Sequence, residues 1–208
     1  MDAGEIQDLQ EIVRALTLVD DVRARLPSAC AVCAAAMCGH QVLMSVAIGF
    51  KDRPVCAACL GRELGHDPES LRTSICAFLA RQRCHRIAWA WANSVEQFEI
   101  GDQRPACVWP ATPDLPNQSS EPAAVRPHAA DTAQHRHWDA DWDAGQMSCG
   151  DLVLALRQRL QGMKAGEVLK LTAHDAAAPE DLPAWCTLTR HVLVGSAHPV
   201  YWIRRRDA

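Results

Sequence analysis

Two kinds of cysteine in this chain could do chemistry. "CAVC" (Cys30, Cys33) and "CAAC" (Cys56, Cys59) are Cys-x-x-Cys pairs with a hairpin-sized segment between them. Two thiolates at that spacing grip one face of a tetrahedral cation, and a second pair completes the shell. Four thiolates leave no open position for a substrate. The expected group is therefore a structural zinc, with an iron–sulfur cluster the less favoured choice. Cys149, in "WDAGQMSCGDLVLALRQRL", is of the other kind. It stands where a short strand-like segment passes into a helical pattern. The N–H groups of a helix's first turn have no partner within the helix and favour a thiolate over a thiol. A cysteine placed there is set up for nucleophilic sulfur chemistry.

The remaining cysteines are read against these two sites. The 208 residues hold ten cysteines, seven of them between Cys30 and Cys84, then Cys107, Cys149 and Cys186. "MDAGEIQDLQEIVRAL" is acidic and amphipathic and lacks a signal-peptide pattern, so metal ligation and thiol chemistry are expected rather than disulfides. Cys38 and His40, in "CGH", are candidate replacement ligands or groups that support the ligands. Cys76 and Cys84 lie eight apart on one predicted helix, with His85 adjoining. They read first as small buried residues, and alternatively as a second zinc or cluster site with Cys38. Cys186 reads as packed inside, with a resolving thiol for Cys149 as the alternative. His174 and His191 adjoin strands without an evident acid–base partner, and Trp138, Trp142, Trp185 and Trp202 read as core and edge packing.

The elements that must position these groups follow from pattern. Residues 5–25 form a predicted helix, with Ile6, Leu9, Ile12, Val13, Leu16 and Val19 at helical spacing and Pro27 ending it. That stripe packs on its own domain, or else serves as a docking or dimer face. "VLMSVAIGF" (Val42–Phe50) is expected as a strand and "KDRP" as its turn, giving a hairpin between the cysteine pairs. Asp67 caps, and Pro68 opens, a long helix carrying Leu71, Ile75, Phe78 and Leu79. After Trp138 the order strand–helix–strand–helix–strand–strand predicts a two-layer α/β sandwich. The expected class is α+β: a βαβαββ sandwich tethered to a small zinc-binding domain with helices. The boundaries are residues 1–100 for the cysteine-rich domain, 101–135 for a Pro/Ala-rich disordered linker and 136–208 for the sandwich. By spacing alone, the first domain resembles treble-clef and zinc-ribbon modules, in which the ion supplies stability that a small core lacks.

Composition narrows the function classes. The net charge is −4, which gives no electrostatic footprint for nucleic acid. The C-terminal "IRRR" reads as a solvated strand end. No apolar run is long enough to cross a bilayer, so the expectation is a cytoplasmic protein with neither nucleic acid nor membrane as partner.

Residues 138–206 resemble the TusA/SirA-like sulfur-carrier family. "WDAGQMSC" is similar to that family's Asp-led approach to a single cysteine. "LVLALRQRLQGMKAGEVLKLTAHD" follows its first helix, Gly-Glu turn and second strand. "EDLPAWC" and "RHVLV" match its second helix and third strand. The resemblance implies a sulfur relay without a cofactor: Cys149 accepts a sulfane sulfur from a donor protein and passes it on as a persulfide. The zinc domain would then dock a donor or acceptor protein, with the linker letting the carrier swing between them. The chain departs from the family at Cys149-Gly150-Asp151-Leu152, where the pattern is Cys-Pro-x-Pro, and at Gly145-Gln146, where Arg-Gly is usual. Glycine loosens the turn that aims the thiol, and Asp151 adds a negative charge close to it. The alternatives are a non-catalytic adaptor or regulator with a degenerate carrier domain, and a metal or redox sensor.

Overall fold

Helix α4 (Pro68–Arg81) begins as its sequence demands. The Asp67 carboxylate accepts from the N–H groups of Glu69 and Ser70 at 3.1 and 3.0 Å, and Pro68 takes the first turn. Its buried side chains are Leu71, Ile75, Phe78 and Leu79. The computed structural model describes residues 3–95, 137–147 and 149–207. The expected linker and Cys107 therefore lie outside the described residues. In chain order the N-terminal elements are α1 (Ala3–Arg23), β1 (Ser28–Ala29), β2 (Ala36–Met37), α2 (Gly39–Ala47), α3 (Ala57–Leu64), α4 and α5 (Arg83–Val95). The C-terminal ones are β3 (Ala140–Asp143), α6 (Cys149–Gly162), β4 (Val168–Thr172), α7 (Ala178–Thr189), β5 (Val192–Ala197) and β6 (Val200–Arg204).

Two expectations are corrected in the N-terminal segment. Val42–Phe50 is not a strand: Val42 to Ala47 belong to α2. Almost every residue of α2 is buried, so its sequence carries no polar face from which a period can be read. The long helix after Asp67 breaks at Gln82, whose backbone is extended and whose amide donates to Asp181 at 2.8 Å. Helix α1 packs on α5 and α2. Its buried residues are Ala15, Leu18, Val19 and Val22, while Leu9, Ile12, Val13 and Leu16 of the expected stripe are exposed.

The C-terminal segment follows the expected βαβαββ order. Its sheet runs β3-β4-β6-β5, with β3 parallel to β4 and the other pairs antiparallel. Strand β4 alternates: Leu169 and Leu171 are buried, and Lys170 turns out to pair with Asp141 at 2.8 Å. Leu152, Val153, Leu156 and Leu160 form the buried stripe of α6.

The two segments share one hydrophobic core. Trp185 of α7 is fully buried and donates its indole N–H to the Ile48 carbonyl at 3.2 Å. Gly49, at φ +95°, passes so close to α6 that a Cβ would stand 2.8 Å from the Val153 carbonyl oxygen. Polar contacts ring this interface: Arg14 to Asp175 at 3.0 Å, His66 to the Leu188 carbonyl at 3.0 Å, and Arg157 to Glu63 at 2.8 Å. A carrier swinging freely on a tether, the arrangement expected from the linker, does not describe this packed interface. Among the described residues no helix is long and apolar enough to cross a membrane.

Candidate functional site

The four expected ligands converge. Cys30 and Cys33 lie on the turn joining β1 to β2, a short antiparallel pair with Ser28 opposite Met37 and Ala29 opposite Ala36. Cys56 is the N-cap of α3, and Cys59 lies in that helix's first turn. The turn is tied down at both ends. Cys30 N–H donates to the Ala35 carbonyl at 2.8 Å, and Ala31 N–H to the Pro54 carbonyl at 3.0 Å. The four sulfur atoms all lie within 4.8 Å of one another.

These sulfurs fit a tetrahedral cation. Zinc–thiolate bonds of about 2.3 Å place sulfurs about 3.8 Å apart on a tetrahedron, and the Cys33 and Cys56 sulfurs are 3.8 Å apart. The Cys30 sulfur faces the N–H groups of Cys56 at 3.3 Å and Val32 at 3.5 Å, and Arg62 donates to the Cys59 sulfur at 2.9 Å. Burial pushes the Cys30 thiol up, but the N–H groups of Cys56, Cys33 and Val32 outweigh it and hold its pKa near 6. The Cys56 thiol is pushed up to about 12, first by burial and then by its hydrogen bonds with the neighbouring cysteines. So without a cation Cys30 gives up its proton readily, while Cys56 and Cys59 hold theirs. A divalent ion would make four adjacent thiolates tolerable.

The other candidate ligands do not join this group. Among the described residues the tetrad is the one cluster of three or more potential ligands; Cys38, His40, Cys76, Cys84 and His85 add to none. Cys38 is the N-cap of α2. His40 is buried with its ring 4.5 Å from that of Trp89. Cys84 is buried, which raises its thiol to about 11. His85 lies against Phe78, and burial lowers its pKa to about 4. Cys186 is buried too, and burial pushes its thiol up, which suits packing and not thiol exchange. His174 is exposed. His191 stacks on Trp185 at 5.4 Å and accepts from the Arg206 N–H at 3.1 Å. Trp142, Trp185 and Trp202 are buried, while Trp138 is exposed beneath the Lys170 ammonium.

His85 makes stability depend on pH. Its folded pKa of about 4 lies below the ordinary 6.5, so the unfolded chain binds this proton first. The contribution is complete above pH ~6.5, falls as pH drops toward ~4, and is flat below. It amounts to on the order of 3 kcal/mol at most. His85→Leu is expected to lose less stability than wild type over that window. Urea midpoints for both proteins across it measure the difference, and parallel curves would refute the assignment.

Cys149 is the first residue of α6, and its side chain lies outside the described part of the structure. The approach is described. Strand β3 ends at Asp143, whose carboxylate accepts from the Gly145 N–H at 2.8 Å, and Gly145 turns the chain at φ +57°. Asp151, in the first turn of α6, accepts from Lys51 of the N-terminal segment at 3.2 Å. Lys51 also pairs with Asp21 at 2.8 Å. Burial works against the Lys51 charge, but the two carboxylates outweigh it and its pKa rises. Lys51 had no signal in the sequence beyond a charge in a turn.

The family model described as Sulfurtransferase TusA matches residues 141–204. The sulfur carrier protein TusA of Pseudomonas entomophila (strain L48) is 33% identical over 72 residues, covering 33% of this chain and 90% of that protein. The chain belongs to the TusA family. The family-model match lies wholly in the C-terminal segment. The sulfur carrier protein TusA of Pseudomonas syringae pv. syringae (strain B728a) is likewise 33% identical over 73 residues, covering 33% of this chain and 87% of that protein. The one from Pseudomonas fluorescens (strain SBW25) is 31% identical over 73 residues. The family-model match spans β3 to β6, and α1 to α5 fall outside it.

Proposed function

We propose that this protein is a cytoplasmic sulfur-transfer protein that carries a persulfide on Cys149. The observation that carries the reading is the placement of Cys149 at the start of α6, within a segment one-third identical to sulfur carrier proteins. In the proposed step the Cys149 thiolate attacks the terminal sulfane sulfur of a persulfide on a donor protein. The donor's S–S bond breaks, its cysteine leaves as a thiolate, and Cys149 becomes the persulfide. An acceptor thiolate then takes the same sulfur by the same exchange, with no net oxidation. The helix start favours the thiolate that each step needs.

In this reading Cys30, Cys33, Cys56 and Cys59 hold a structural zinc, which fixes the β1–β2 turn to the start of α3. The zinc-stabilised segment serves as the docking module for the donor or acceptor protein. Its rigid attachment to the TusA-like segment makes a partner bound there a neighbour of the α6 start.

The test is direct. The protein is incubated with a cysteine desulfurase and cysteine, and its intact mass is measured. One added sulfur is expected on wild type and none on Cys149→Ser. No adduct on wild type would leave the second reading, a non-catalytic adaptor, which is favoured by Gly150 and Leu152 standing where the family has prolines.

A further inference from the structure

The end of β6 does not simply run into solvent. A cavity of about 220 Å³ opens between the two segments, lined by Phe50 and Glu63 on one side and Arg157, His191, Arg205 and Arg206 on the other. We propose that this cavity is a binding site for a small oxyanion of the phosphate class, carrying two or more negative charges. The site goes beyond the sulfur chemistry and lies toward the opposite end of α6 from Cys149.

Three observations carry the proposal. The first is that the guanidinium groups are held in place before any ligand arrives. Arg157 lies 3.5 Å over the Phe50 ring and bonds Glu63 at 2.8 Å. Arg206 donates to the Glu63 carbonyl at 2.9 Å, and Arg205 to the Gln161 carbonyl at 3.1 Å. A guanidinium has five N–H donors, so each keeps others for an oxyanion, and this planar fork suits phosphate. The second is charge. The chain as a whole is acidic at −4, yet three arginines meet here against two carboxylates, Glu63, already engaged by Arg157, and Asp207, which is exposed at the rim. Burial lowers Arg157 from its usual pKa against the pull of Glu63, with Arg206 and Arg53 adding repulsion, and burial together with Arg206, Arg205 and Arg157 holds His191 near 4. An anion would relieve that repulsion. The third is size and shape. The volume is below the roughly 300–1,000 Å³ of drug-sized sites, and the Arg157 guanidinium covers a face of the Phe50 ring on which a ligand ring could stack.

Isothermal titration of the full chain with inorganic phosphate and with pyrophosphate, at ionic strength held constant with sodium chloride, tests the site. Saturable binding at one site per chain is expected. Arg205→Gln and Arg206→Gln should each weaken it about tenfold or more, and Arg204→Gln, an exposed neighbour outside the cavity, should not. Absence of saturation, or equal binding by all four proteins, would overturn the proposal. Because Arg206 also braces α3, the wild-type protein gives a second reading. The ring signals of His191 should shift with the same midpoint as the heat, while those of the exposed His174 stay in place. Equal drift at both rings, or none at His191, would overturn it as well.

Discussion

Cys59→Ser is expected to abolish metal binding and unfold the N-terminal helices. Protein purified without added ions should carry close to one zinc per chain, and the variant close to none. The expected effect is large because structural zinc sites contribute about 10–16 kcal/mol of apparent binding free energy, comparable to the whole 5–15 kcal/mol stability of a typical domain. Once the ion is gone, the Ala31 N–H bond to the Pro54 carbonyl and the burial of Cys30 are left to hold the β1–β2 turn against the start of α3. The loss would also travel. Helix α3 starts at the tetrad and ends at Glu63 and Leu64, where Arg157 and Arg206 grip it. Thermal unfolding with and without a strong chelator, followed by circular dichroism, measures the effect. A midpoint unmoved by chelator or by the substitution would remove the metal from the account, and bound iron would redirect it to a cluster.

Trp185→Ala should destabilise both segments together. Trp185 is fully buried, stacks on His191 and donates across the interface to Ile48. Truncating a buried tryptophan costs about 3–5 kcal/mol, and the Ile48 carbonyl loses its partner as well. Trp185→Phe keeps most of the apolar area and loses chiefly the hydrogen bond, so about 1 kcal/mol is expected. Since the core is shared, urea unfolding followed by helix signal and by tryptophan fluorescence should show one transition that moves as a unit. Two separated transitions, with only the later part of the chain affected, would mean that the segments fold independently.

Much of the candidate site was legible because it is local. A Cys-x-x-Cys pair is a turn-sized motif, Asp67-Pro68 is a helix start, and β4 alternates cleanly; each needs only near neighbours in sequence. Val42–Ala47 was not legible as a helix because burial on all sides erases the polar face that distinguishes a period of 3.6 from a period of two. The interface was hidden for a different reason. Phe50, Arg157 and Trp185 are ordinary residues of their own elements, and nothing nearby in sequence records that they meet. Gly49 read as part of a strand, although its left-handed backbone and close approach to Val153 are what let α6 lie down on the N-terminal segment. Lys51, Arg14 and Asp175 escaped notice because isolated charges usually stay in water.

The bridge from Lys51 to Asp151 changes how the charge beside Cys149 in sequence is weighed. Taken by itself, the TusA-like region has a carboxylate two residues after its cysteine, an electrostatic handicap for any anionic sulfur species formed there. In the intact chain a cation from a different segment, shared with Asp21, offsets part of that charge. Excising the region at its family boundaries would therefore separate Asp151 from the Lys51 ammonium that it meets at home.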